Sequence, residues 1–171
     1  NPRLLPAGGS QHDVDFSMRK VEWATIFFFI GLFVAVGGLS ETGVIRDLAT
    51  GAVALTEGDV TKTSLLVLWL SALVSSVLDN IPFVATMIPL IQNMGAMGVD
   101  NLEPVWWSLS LGACLGGNGT LVGASANLIV AGMAADRGVK ISFMNYFKIS
   151  FPIMIMTIAI STVYVYLRYL L

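Results

Sequence analysis

The chain has 171 residues, 56% of them hydrophobic and 12% charged, with nine Lys and Arg against eleven Asp and Glu for a net charge of −2. With a mean hydropathy of +0.79, so few charges cannot clothe a water-soluble domain of this size, and the chain reads as an all-α integral membrane protein. No basic cluster offers a footprint for nucleic acid, the single Cys114 excludes an internal disulfide framework, and the single His12 excludes a histidine-rich zinc cluster.

Residues 1–22 are polar and turn-rich, with Pro2, Pro6, Gly8 and Gly9 among the charges, and read as a loop or linker. The opening Asn1-Pro2-Arg3 carries no Met and no signal-peptide pattern, so the chain is expected to be a piece of a longer one. Trp23 to Ser40 is an uncharged run of 18 residues, enough for one spanning helix with Trp23 as an interfacial anchor. Phe27-Phe28-Phe29 within it, like Met87, Met94 and Met97 later, read as lipid-facing or core filler. Between Ser40 and Lys62, Val44, Leu48, Gly51 and Leu55 share one helical face while Arg46, Asp47, Glu57 and Asp59 stay polar. That pattern suits a helix lying along the interface.

Two uncharged runs follow, Thr63–Leu78 and Asn80–Val99, separated by Asp79 alone. Pro82 lacks an amide donor and biases Ile81 away from the helical region, so the spacing predicts a helical hairpin over 63–99 with its tip at Asp79–Pro82. The first arm is short for a full crossing, and a re-entrant hairpin fits it. Pro104 to Ala135 is then uncharged for 32 residues. As one helix it would reach roughly 48 Å, well beyond a ~30 Å hydrocarbon core. Gly116-Gly117-Asn118-Gly119-Thr120 and Gly123-Ala124-Ser125-Ala126-Asn127 supply the break, and half-helices are expected over Val105–Leu115 and Ser125–Ala135.

After a charged loop (136–148), Ile149–Leu167 forms a final span of 19 uncharged residues, with Tyr164, Tyr166 and Arg168 at an interface belt. A hairpin enters and leaves on one side. The N-terminal segment and the 136–148 loop therefore share a side with six Lys or Arg, against three (Arg46, Lys62, Arg168) opposite. The positive-inside rule puts the N-terminus in the cytoplasm and the C-terminus outside.

Irregular backbone at membrane depth survives only inside protein or along a watery cavity. Two such breaks in a short chain are what a transport site uses: half-helix N-termini face anions and unwound carbonyls face cations. The oxygens on offer are Asp79, Asn80, Asn118, Thr120, Ser125 and Asn127. One carboxylate among neutral oxygens suits Na⁺, with Asp79 as its ligand, and equally suits a proton. Blander readings stand beside this one. Asp79-Asn80 could be a surface turn, the glycines could serve close helix packing, and Cys114 could be a small packing residue. No His, Cys or Ser constellation accompanies the acid, so no enzyme is expected.

Ser75-Ser76-Val77-Leu78-Asp79-Asn80-Ile81-Pro82-Phe83 resembles the hairpin-tip signature of the ArsB/P-protein/NhaD branch of the ion-transporter superfamily. Gly116 through Asn127 is similar to its second signature, in the following broken helix. Val21-Glu22-Trp23-Ala24-Thr25 and Ile141 through Lys148 also resemble that branch. The superfamily holds arsenite pumps, P proteins, sodium/proton antiporters and, more distantly, citrate carriers. The resemblance implies a fold of two inverted repeats, each with a re-entrant hairpin and a broken transmembrane helix. Only the C-terminal repeat is matched. By the same resemblance, Asp79, Asn80 and Pro82 at the tip and Asn118, Thr120, Ser125 and Asn127 at the break carry ion and substrate contacts.

The expected function is therefore secondary ion transport in the cell's inner or plasma membrane, coupled to Na⁺ or H⁺ as in Na⁺/H⁺ antiport, with no cofactor. Arsenite efflux or anion transport is the rival within the class, and a non-transporting packing module the rival outside it. The expected partners are the lipid bilayer, the missing N-terminal repeat and a second copy in a homodimer, and not nucleic acid.

Overall fold

The computed structural model describes the backbone of residues 23–171 and side chains from Ile26 onward. The expected linker 1–22 with His12, and the Trp23 anchor's side chain, lie outside the described residues. All regular structure among the described residues is helical: α1 Trp23–Glu41, α2 Val44–Thr56, α3 Val60–Ser75, α4 Asn80–Ala96, α5 Glu103–Gly116, α6 Ser125–Asp136 and α7 Phe143–Val165. A π-helical turn, Tyr166–Leu170, continues α7.

The chain divides into two units between Ala35 and Val36. In the first, the early turns of α1 expose Phe27, Phe28, Phe33 and Val34, with Phe28 and Phe29 edge to face at 5.4 Å. This helix is apolar all round, as membrane helices are. The second unit holds everything from Val36 on. Phe143–Leu170, at 28 residues, is long and apolar enough to cross a membrane, and α1 with α2 forms a bent apolar pair. The bend falls at Thr42-Gly43. There Gly43 takes φ +84°, a left-handed conformation open to glycine at little cost.

Helix α2 turns a different face inward from the one its pattern suggests. Ile45, Ala49 and Thr56 are buried, whereas Val44, Leu48 and Leu55 of the expected stripe are exposed. Ile45 and Ala49 join Met87, Leu90, Ile91 and Met94 of α4, with Val105 and Leu109 of α5, in the larger core cluster. The helix is thus apolar on two faces: packing against α4 decides which is buried, and the other is left outward. The smaller cluster joins Leu68 and Ala72 of α3 to Met154 and Ile158 of α7.

Helices α3 and α5 form the tightest pair. Water does not drive helices together in a bilayer, so close packing and interhelical hydrogen bonds must. A Cβ on Gly116 would lie 2.6 Å from Ala72 Cα, and one on Gly112 would lie 2.8 Å from Ser71 Cβ. The missing side chains bring the two backbones into contact, and Ser75 Oγ then donates to the Ala113 carbonyl at 2.6 Å. Trp69 Nε1 ties α3 to Thr162 Oγ1 of α7 at 3.1 Å. Helix α6 buries no residue, and Leu128, Ile129, Val130 and Met133 stand exposed along it.

Candidate functional site

The two breaks meet. Helix α3 ends at Ser75 and α4 begins at Asn80, so the tip is Ser76–Asp79, and Pro82 falls within the first turn of α4. A proline is tolerated there because first-turn amides have no intrahelical acceptor. Asp79 takes an extended conformation (φ −55°, ψ 138°) and caps α4, its Oδ1 accepting from the Ile81 amide at 3.2 Å. An aspartate before the helix, rather than the proline inside it, sets the position of the turn.

The second break runs from Gly117 to Ala124, between α5 and α6. Its residues tie it down in two ways. Thr120 Oγ1 donates to the Ser76 carbonyl at 2.5 Å and accepts from the Gly123 amide at 3.1 Å. Asn127 Nδ2 donates to the carbonyls of Gly117 at 3.0 Å and Thr120 at 3.1 Å. Glycine at 123 is required by close approach: a Cβ would fall 2.7 Å from the Ser76 oxygen. The tract therefore serves packing and polar contact together, glycines against α3 and the tip, Thr120 and Asn127 holding unwound carbonyls.

Across this junction Ser125 Oγ, at the start of α6, donates to Asp79 Oδ2 at 2.5 Å. Asp79 is half-buried, and among the described residues it has no cationic partner, since the ion pair found is Lys62–Glu57. One oxygen of the carboxylate thus meets a serine hydroxyl where α4 and α6 begin. No group of three His, Cys, Asp or Glu fit for a metal ion occurs among the described residues.

Of the seven expected site residues, Asp79, Thr120, Ser125 and Asn127 are drawn into this network. Asn80 and Pro82 adjoin it in the first turn of α4, half-buried and without side-chain hydrogen bonds. Asn118 is exposed and takes no part in the network. Sequence reasoning passed over Ser75 and Ser76, which anchor the tip to α5 and to Thr120. Ser75 acts through its hydroxyl, whereas Ser76 offers only its backbone carbonyl to Thr120, which no side-chain pattern announces.

A profile of the citrate transporter family, CitMHS, matches residues 4–112. The chain belongs to the citrate transporter family. This is a family of integral membrane transporters, not of enzymes. It is 44% identical over 154 residues to an uncharacterized transporter of Mycobacterium tuberculosis, covering 89% of this chain and 36% of that protein. It is 42% identical over 155 residues to a 46 kDa membrane protein of Mycobacterium leprae, covering 90% of this chain and 36% of the other. The P protein of Homo sapiens is 41% identical over 160 residues, covering 90% of this chain and 19% of its own length. The chain therefore spans about a third of its mycobacterial relatives and a fifth of the P protein. No solved structure matches it.

Proposed function

We propose that this chain is the C-terminal half of a cation-coupled secondary transporter, with Asp79 as the carboxylate that exchanges Na⁺ for a proton. The observation carrying this reading is the Ser125–Asp79 hydrogen bond, which joins the tip before α4 to the start of α6. In this reading Asp79 supplies the charge, and the unwound carbonyls between α5 and α6 supply the neutral oxygens. A proton and Na⁺ compete for the same oxygens, so Na⁺ affinity rises with pH. The companion repeat and a second copy of the chain complete the assembly, with the N-terminus cytoplasmic and the C-terminus outside.

Thermal stability of the detergent-purified chain tests it, in NaCl against choline chloride at about pH 6 and about pH 8. A ligand at 100 times its dissociation constant stabilises by about 2.7 kcal/mol. A Na⁺-specific rise, larger at the higher pH and absent from Asp79→Asn, is the expected result. A rise that survives in Asp79→Asn overturns the assignment of that carboxylate. No Na⁺ response at either pH removes Na⁺ from this half-site.

The family match favours a second reading, in which the cargo is a carboxylate anion such as citrate. Its support is the first turns of α4 and α6, whose amides favour negative charge. Here Na⁺ on Asp79 would offset the repulsion between that carboxylate and the anion. Citrate that stabilises the chain only with Na⁺ present supports this reading, and citrate without effect sinks it.

A further inference from the structure

A groove of about 260 Å³ opens at the start of α7, lined by Lys140, Ile141, Asn145, Tyr146, Ile149 and Ser150. Its polar side chains are an ammonium, a side-chain amide and two hydroxyls, each able to donate a hydrogen bond. Its apolar walls are two isoleucines. The surrounding charge is mostly positive, with Asp136 the acid beside it. From Arg137 to Ser150 the chain contains Arg137, Lys140 and Lys148 and no Asp or Glu. Arg137, Lys140 and Lys148 are exposed, and none is in an ion pair among the described residues.

Beyond the groove, Ile149, Ile153, Met156, Ile160 and Val163 are exposed. Their spacing of four, three, four and three sets them on one side of α7 as a continuous apolar stripe. From Ile149 to Val163 it runs roughly 21 Å at ~1.5 Å per residue, more than the ~15 Å of one hydrocarbon leaflet.

The geometry points to a binding site for an anionic phospholipid: its phosphate lies against Lys140, Asn145, Tyr146 and Ser150, and an acyl chain lies along the stripe from Ile149. Charge complementarity selects an anionic headgroup over a zwitterionic one. The stripe selects a lipid over free phosphate, because inorganic phosphate gains nothing from an apolar track. The site lies at the start of α7 and uses none of the residues joined at Asp79.

Native mass spectrometry of the detergent-purified chain tests this, with phosphatidylglycerol and phosphatidylcholine offered in equal amounts. Phosphatidylglycerol is retained in preference, and Lys140→Gln reduces its retention about fivefold, the equivalent of ~1 kcal/mol for one cation near a lipid surface. Arg46→Gln, which removes an exposed charge on α2, leaves retention unchanged. Both positions are exposed, and substitutions at such sites rarely disturb folding. Equal retention of the two lipids, or equal losses in the two variants, overturns the proposal. So does displacement of phosphatidylglycerol by inorganic phosphate at matched ionic strength, which marks a site for free anions only.

Discussion

Ser125 and Asp79 are 46 positions apart in the chain and meet at 2.5 Å, the hydroxyl donating to the carboxylate. This bond links the end of one break to the tip of the other, and it reaches α6, a helix that buries no residue of its own. If Ser125 fixes the carboxylate for a cation, Ser125→Ala should weaken Na⁺ protection roughly tenfold. That follows from the ~1.5 kcal/mol lower bound for a hydrogen bond to a charged group. Titrating NaCl against melting temperature at fixed ionic strength measures it, and an unchanged midpoint would detach Ser125 from the site.

The contact between α3 and α5 makes a sharper prediction, because two glycines in helices should respond oppositely. Gly116→Ala places a methyl 2.6 Å from Ala72 Cα, a backbone atom that cannot swing away. It should destabilise by ~1–3 kcal/mol through overpacking. Gly132→Ala in α6 meets nothing within 4 Å and should be neutral or stabilise by up to about 1 kcal/mol, as alanine ordinarily does in a helix. Melting temperatures of the two variants decide it. Equal shifts would mean that α3 and α5 do not touch as described.

Asn127 holds the carbonyls of Gly117 and Thr120 through one amide. Asn127→Leu removes both bonds at similar volume. Amide exchange across 117–124 should then quicken about tenfold, while exchange in the middle of α3 stays as it was. In the same measurement Thr120→Val should loosen Gly123, whose amide donates to the Thr120 hydroxyl, and Thr120→Ser should restore it. Uniform acceleration across the chain would instead indicate general destabilisation.

Lys62 pairs with Glu57 at 2.5 Å between α2 and α3, and the ammonium holds the Glu57 carboxyl below its ordinary value of 4.5. A lowered folded-state value contributes stability above the ordinary carboxylate range and loses it as pH falls through the lowered one. Both side chains are exposed, so the contribution is small and screened by salt. Glu57→Gln should barely move the melting temperature at neutral pH, and the slight acid-side difference from wild type should vanish in molar salt. A large neutral-pH loss would show a role for Glu57 beyond this pair.

Membrane character and the positions of the breaks were legible in the sequence because both are local. An uncharged run must sit in lipid, and Asp79 and the glycine tract must interrupt helices wherever they fall. Tertiary structure decided what the breaks face. Thr120 could be singled out as an oxygen donor, but its acceptor, the Ser76 carbonyl, lies 44 positions earlier and no local pattern names it. Helix α2 shows the same division: its residues make two apolar faces, and only contact with α4 buries Ile45 and Ala49 rather than Val44 and Leu48. Asn118 and Asn127 have the same side chain and similar glycine-rich neighbours. Asn127 follows the return of helical backbone at Ser125, which turns its amide to the Gly117 and Thr120 carbonyls, and Asn118 is left exposed. Composition and spacing determine which segments can enter a bilayer and where they must bend; the approach of two backbones at Gly112 and Gly116 decides which bends come together.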